Sequence, residues 1–362
     1  MRSSGSGSAT SPRWPPTPPS TASAPGSRAT ADPAGAVAAP PAEAPPLLAV
    51  EGLRVSAAAG DILRGVDLAV PRGSVVGVVG ESGCGKTTLG LAVLGLLGRT
   101  RRISAGEIRL DGERIGAPGV DATAALRGTR VSFIPQDPFR SFDPLRRIGP
   151  QVRRPLELHR GLATAEADER VADLLDRLGV DDPAGVMGRY PHELSGGLLQ
   201  RATIATALSC EPELVIADEP TTALDALVQV QVIGSFMPLV RELGTSVVVI
   251  THDLRLLERV ADHIAAMYAG RIVEFGPAAR LLRFPRHPYP SALLESSVRA
   301  VEPGQRLRVI EGQPPTLPGT FPACAFAPRC SRADETCLRT EPTYAWPAAE
   351  GEACHHPIEA TT

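Results

Sequence analysis

Asparagine is absent from this chain of 362 residues, and lysine occurs once, as Lys86, against 36 arginines. Both codon families are A-rich, so the pattern fits a high-GC genome in which arginine is the default cation. It also singles out the one position that keeps lysine. Basic residues number 37 and acidic ones 40, a net charge of −3, so the strongly basic footprint of a nucleic-acid binder is missing. No apolar run approaches the roughly 18–20 residues that a membrane span needs. The best, Val75–Val79 and Val247–Ile250, are strand-sized. The N-terminal stretch lacks the continuous apolar segment of a secretory signal, which predicts a cytosolic chain. In that compartment the six cysteines are read as reduced or metal-bound before they are read as disulfides.

The remaining composition is that of a globular protein, with 43% apolar and 21% charged residues and a length that fits about two domains. Residues 1–46 hold 11 of the 36 prolines, among Ser, Thr, Ala and Gly with few large aliphatics. Such a segment cannot bury enough apolar surface to offset its conformational entropy, which predicts disorder. A targeting peptide and a translation start placed too far upstream are the rival readings. From Leu47 onward short aliphatic runs alternate with turn signals and helical patterns, the mark of an α/β domain with a largely parallel sheet. Val75–Val79, Leu214–Ala217 and Val247–Ile250 read as buried strands. Val171, Leu174, Leu175 and Leu178 recur at i, i+3, i+4 and i+7, with Thr164 as the expected N-cap and Gly179 as the stop. A helical insert over roughly residues 137–195 follows from that pattern. After about residue 276 prolines return, together with four of the six cysteines.

Chemistry enters with Gly80-Glu81-Ser82-Gly83-Cys84-Gly85-Lys86-Thr87, which fits G-x-x-x-x-G-K-[ST] directly after the Val75–Val79 strand and before a helical run beginning at Thr88. The glycines let successive backbone N–H groups turn around a phosphate, and the helix N-terminus adds partial positive charge. Lys86 is a slim point charge able to reach the β- and γ-phosphates, where a planar guanidinium is bulkier. Thr87 is expected to ligate Mg²⁺. With this composition a chance match is expected roughly 0.001 times in the chain. Leu214–Ala217 ends in Asp218 and Glu219. Asp218 is expected to hold the Mg²⁺ through water, and Glu219 to polarise the attacking water as general base. Leu194-Ser195-Gly196-Gly197 opens a helix with a second Gly-rich, serine-bearing start, so a nucleotide is expected to be sandwiched between two copies. Gln136 and His252 each follow a strand and are polar groups at strand ends.

In this order the residues resemble the ATP-binding subunit of an ABC transporter, from about Leu47 to the end of the chain. The resemblance includes the phosphate loop, the glutamine loop at Gln136, the Leu194–Gly197 signature, the Asp218/Glu219 strand, the Ala223-Leu224-Asp225 loop and His252. It implies a P-loop NTPase fold: a RecA-like, mostly parallel core sheet with an antiparallel β subdomain and a helical subdomain, followed by an irregular cysteine-containing extension. It further implies that ATP and Mg²⁺ bind through Gly80–Thr87, Thr88, Asp218 and Gln136, and that two such domains pair head to tail. Ser195, Gly196 and Gly197 of one would then close on the γ-phosphate held by Lys86 of the other. Asp225 would lie at that interface, His252 would sense the γ-phosphate, and Gln136 would link the site to the membrane partner. The implied domains are residues 47–275 and 276–362.

A narrower resemblance, to the oligopeptide/dipeptide importer branch, lies in Pro135-Gln136-Asp137-Pro138, Ser141-Phe142-Asp143-Pro144, Arg286-His287-Pro288-Tyr289 and Cys324-Ala325-Phe326-Ala327-Pro328-Arg329-Cys330. Nickel-import ATPases look similar. The implied partners are integral-membrane permeases, a second ATP-binding subunit and, indirectly, an extracellular solute-binding protein, with the chain peripheral at the cytoplasmic face of the membrane and no nucleic acid. A soluble ABC ATPase acting on DNA or ribosomes would need a long coiled coil or two fused nucleotide domains, and a P-loop kinase would leave Ser195–Gly197 without a purpose. One departure concerns the base. The family usually places an aromatic ring before the phosphate loop to stack on adenine, a contact worth about 1–3 kcal/mol, and Leu53–Ala59 has none.

Cys324, Cys330, Cys337 and Cys354 are separated by 5, 6 and 16 residues. Zinc ligands usually pair at two to four intervening residues, so these gaps fit zinc poorly. Four thiolates on a proline-stiffened loop suit a 4Fe–4S cluster, as in similar tails of the peptide-importer branch, with a structural or redox-sensing role. Zinc on the same four ligands is the alternative. Cys84 and Cys210 sit in the nucleotide domain and are left out of this set.

Overall fold

The computed structural model describes residues 45–222, 224–296, 309–343 and 350–359. All of them fall in one compact unit, Ala44–Thr362. The segment expected to be disordered, residues 1–46, lies outside the described residues except for its last two.

The described chain opens with two long strands, β1 (Leu48–Ala57) and β2 (Gly60–Val70), then β3 (Val75–Val79) and the helix α1 (Lys86–Val93). Strands β4 (Arg101–Leu110), β5 (Glu113–Ala117), β6 (Val120–Asp121) and β7 (Val131–Ile134) follow. A helical region holds α2 (Ile148–Val152), a π-turn over Leu156–Arg160, α3 (Thr164–Arg177), α4 (Pro183–Gly188) and α5 (Gly196–Leu208). The core resumes with β8 (Leu214–Asp218), α6 (Ala226–Leu243), β9 (Ser246–Thr251), α7 (Leu254–Val260), β10 (His263–Tyr268) and β11 (Arg271–Pro277). Short elements close the chain: α8 (Ala278–Arg283), α9 (Pro288–Glu295), α10 (Glu335–Arg339) and β12 (Gly351–Glu352).

Two sheets result. The smaller has the order β2-β1-β4-β5-β6, antiparallel throughout. The larger runs β12-β11-β10-β3-β9-β8-β7, parallel from β10 to β7 and antiparallel at β11 and β12. The parallel strands are apolar runs because both of their faces are covered. Val75, Val79, Val215, Ala217, Val247 and Val249 face a core shared with α3, α5 and α6. Val76, Val78, Leu214, Ile216, Val248 and Ile250 face a second core, closed by α1 and the antiparallel sheet. A mostly parallel core with an antiparallel β subdomain and a helical layer is the expected fold class.

In the helical region Val171, Leu174 and Leu175 are buried along one face of α3, and Gly179 turns the chain at φ 79°. The helix start differs by one residue from the expectation. Ala163 occupies the cap position and Thr164 is already helical. There the Ala163 N–H donates to Glu166 Oε2 at 3.2 Å, and the Thr164 hydroxyl donates to Glu157 Oε1 at 3.2 Å. At the other end of the chain, β12 pairs with β11 through Glu274↔Glu352 and Phe275↔Gly351, which occupies the middle of that edge strand.

The register brings the functional ends together. Val79 lies opposite Thr251, and Asp218 opposite Ile250. The carboxyl ends of β3, β8 and β9 therefore share one rim of the sheet, where α/β folds place their ligands.

Candidate nucleotide site

Between β3 and α1, Gly80–Thr87 forms a tight loop. At Gly80 an added Cβ would lie 2.2 Å from the Met267 carbonyl oxygen, so only glycine fits. Gly85 caps α1 at φ 110°, in the left-handed region. Cys84 is buried under the loop, and burial pushes its thiol pKa up, which keeps it neutral. The buried Lys86 ammonium donates to the Gly80 carbonyl at 2.7 Å and the Glu81 carbonyl at 3.0 Å. Thr88 is buried on the first turn of the same helix, where its hydroxyl accepts from Arg101 Nη1 at 3.4 Å.

Asp218, the last residue of β8, is buried; burial raises its pKa, and a hydrogen bond with the Thr87 side chain opposes that rise. Its Oδ1 is buried without a hydrogen-bond partner. An orphaned carboxylate oxygen beside a hydroxyl fits a hard divalent cation, which supplies the missing positive charge. Glu219 follows at φ 46°, with its N–H donating to the Ile250 carbonyl at 2.8 Å. Gln136 Nε2 donates to Glu219 Oε2 at 3.1 Å, and His252 Nδ1 meets Glu219 Oε1 at 3.0 Å. Burial works against ionisation of Glu219, but hydrogen bonds from His252 and Thr222 outweigh it and hold the carboxyl below the usual carboxylate range. The structure thus joins Gln136, Glu219 and His252, each from a different strand end.

Ser195 caps α5, its Oγ accepting from the Leu198 N–H at 3.4 Å. Gly196 lies against Leu224, and at Gly197 an added Cβ would stand 2.7 Å from Val228 Cγ1. Asp225 caps α6, its Oδ1 accepting from the N–H groups of Leu227 and Val228 at 3.1 and 3.0 Å. Ser195–Gly197 and Asp225 therefore border one patch. Ala223 lies outside the described residues.

All four cysteines of the extension, Cys324, Cys330, Cys337 and Cys354, line one narrow pocket with His287, Phe326, His355 and His356. Burial raises the Cys324 and Cys337 thiol pKa values, and burial followed by the neighbouring thiols pushes Cys354 up to about 11. Asp334, Cys337 and His356 also bring their ligand atoms within 4.8 Å of one another.

The contacts that tie this extension to the phosphate loop have no signal in the sequence. The Arg329 guanidinium grips both oxygens of Glu81, Nη1 to Oε2 at 2.7 Å and Nη2 to Oε1 at 2.9 Å. The Tyr289 hydroxyl accepts from the Glu81 N–H at 2.7 Å. Arg329 and Glu81 stand 248 positions apart, and no local pattern links them.

A Gly-rich phosphate loop between a parallel strand and a helix, with a paired acid at the neighbouring strand end, defines a P-loop nucleoside triphosphatase. The description "ABC transporter" matches residues 63–222, and "Oligopeptide/dipeptide transporter, C-terminal region" matches residues 273–337. The chain belongs to the ATP-binding subunits of ABC transporters, in the oligopeptide/dipeptide branch. It is 40% identical to the oligopeptide transport ATP-binding protein OppD of Salmonella typhimurium, over 86% of this chain and 94% of that one. With the dipeptide transport ATP-binding protein DppD of Escherichia coli it shares 37% identity, over 81% of this chain and 90% of the relative. Among solved structures, a dimeric ATP-binding cassette, MJ0796, bound to ADP and Pi superposes with a TM-score of 0.56 at 25% identity, covering 64% of this chain and 98% of that one. CbiO1 of Clostridium perfringens, part of the ABC transporter complex cbiONQ, gives 0.56 at 26% identity, covering 66% and 92%.

Proposed function

We propose that this chain is the ATP-hydrolysing subunit of a peptide importer, and that hydrolysis runs on the carboxylate of Glu219 held between Gln136 and His252 beside the phosphate loop. That three-residue arrangement carries the reading. Lys86 and the Gly80–Thr87 amides bind the β- and γ-phosphates of ATP. Thr87 and Asp218 would hold Mg²⁺, with Gln136 as a further ligand, and the ion would neutralise charge on the phosphates. Glu219, kept ionised by its partners, takes the proton of the attacking water. His252 fixes that carboxylate and meets the γ-phosphate.

The patch of Ser195, Gly196, Gly197 and Asp225 serves the nucleotide of a second ATP-binding subunit, a copy or a relative of this chain. ATP then closes the pair, and hydrolysis reopens it. Among the described residues no helix is long and apolar enough to cross a membrane. In this reading the integral-membrane permeases are separate chains, and this subunit docks on them from the cytoplasmic face, with an extracellular solute-binding protein delivering the cargo. The names of the relatives favour peptides over nickel as that cargo. Residues 47–275 form the nucleotide-binding domain, with its helical subdomain at about 137–195, and 276–362 the extension. Convergence of Cys324, Cys330, Cys337 and Cys354 on one pocket supports a 4Fe–4S cluster there, with a structural or redox-sensing role.

Reconstitution with the permeases in liposomes tests the function. Peptide uptake that requires ATP, and an ATPase rate raised by the loaded binding protein, are expected. Uptake of nickel without peptide uptake, or ATPase indifferent to the permeases, contradicts it.

A further inference from the structure

Three groups of Glu81 are engaged at once, and two of their partners lie in the C-terminal extension. Its carbonyl accepts from Lys86 Nζ, its N–H donates to Tyr289, and its carboxylate is gripped by Arg329. The Arg329 side chain is only 4% exposed. Its remaining donors are used as well: Nη1 reaches the Tyr268 hydroxyl at 3.3 Å, Nε the Glu311 carbonyl at 2.9 Å and Nη2 the Ile310 carbonyl at 3.3 Å. Such a fork is fixed in direction before it meets the carboxylate. Arg329 is delivered by the turn between Cys324 and Cys330. There the Ala327 N–H donates to the Cys324 carbonyl, the Arg329 N–H to Phe326 and the Cys330 N–H to Ala327.

We propose that Arg329 is a positioning residue of the nucleotide site, acting through Glu81, and that it couples the cysteine-bearing turn to ATP binding. Two physical effects act together. The fork holds the residue whose carbonyl anchors Lys86, so the lysine is presented in one place. It also neutralises the only carboxylate of the Gly80–Thr87 loop, which unpaired would repel a polyphosphate at close range. Coupling of this kind is reciprocal: a ligand that tightens the loop must tighten the turn by the same factor.

The inference rests on Gly80–Thr87 being the phosphate loop, and Lys86→Ala controls for that. The test is ATP affinity, measured in the assembled complex with a fluorescent ATP analogue. Arg329→Gln is expected to weaken binding about tenfold, and Arg329→Lys, which keeps the charge but loses the fork, about threefold. Adding Glu81→Gln to Arg329→Gln removes the stranded carboxylate and is expected to return affinity to within about threefold of the parent. No loss in Arg329→Gln while Lys86→Ala does weaken binding overturns the proposal alone. A double variant as weak as Arg329→Gln overturns it too. No loss in Lys86→Ala overturns the reading of the loop itself. Should Arg329→Gln fail to fold, the unmodified complex still decides: ATP is expected to slow amide exchange over Cys324–Cys330, and unchanged exchange overturns the coupling.

Discussion

Acid should destabilise this protein through His287. The residue is fully enclosed, its Nδ1 accepts from the Tyr289 N–H at 3.0 Å, and burial lowers its pKa from 6.5 to about 3. The depressed pKa means that between those two values the unfolded chain binds a proton that the folded chain refuses. Stability from this group is therefore complete above about pH 6.5 and is lost as pH falls below it, at about 1.4 kcal/mol per pH unit. Down to about pH 5 the loss reaches about 2 kcal/mol, a large share of the 5–15 kcal/mol typical of a domain. Urea unfolding of the parent and of His287→Asn at about pH 7, 6 and 5 measures it. The asparagine side chain can accept the same N–H but cannot titrate. The parent should lose about 2 kcal/mol more than the variant over that range, with equal urea slopes. Parallel losses in the two proteins would mean that His287 does not set this acid sensitivity.

Three further outcomes follow from the same geometry. Lys86→Ala should weaken nucleotide binding itself, read as a raised dissociation constant for ATP, because the loop loses its only cation. The isolated chain should be a poor ATPase whose rate rises more than linearly with protein concentration if, as proposed, each site takes a Ser195–Gly197 patch from another subunit; a linear dependence, unchanged by added permeases, speaks against it. Anaerobic purification should give a brown protein with about four irons per chain, and iron should fall in Cys330→Ser, whereas stoichiometric zinc without iron keeps the ligands and replaces the cluster.

What could be seen in the sequence was what neighbouring residues encode. The phosphate loop is one continuous run, and glycine spacing with the lone lysine marks it. The strands Val75–Val79, Leu214–Ala217 and Val247–Ile250 stand out because a parallel strand buried on both faces must be apolar at every position. The helical region announces itself by period, although α3 starts one residue earlier than a cap at Thr164 would place it, with Ala163 at the cap and Glu166 reaching back to its N–H. Contacts set by register were beyond reach. That Gln136 and His252 hold the two oxygens of Glu219 depends on β7, β8 and β9 ending at one level. The grip of Arg329 on Glu81 depends on the chain end folding back over the core, where Tyr268, Tyr289 and Phe326 pack together. No periodicity reports such a return.

Glu219 is proposed as the base of an ATPase whose nucleotide sites are shared between two subunits. Single-turnover hydrolysis by Glu219→Gln in the assembled importer tests it most directly, with ATP binding followed on the same sample. ATP is expected to bind as tightly as in the parent and hydrolysis to slow by about 10²–10⁴-fold, leaving the pair closed on uncleaved ATP. A variant that binds ATP equally and cleaves it at most of the parental rate would remove Glu219 from that role.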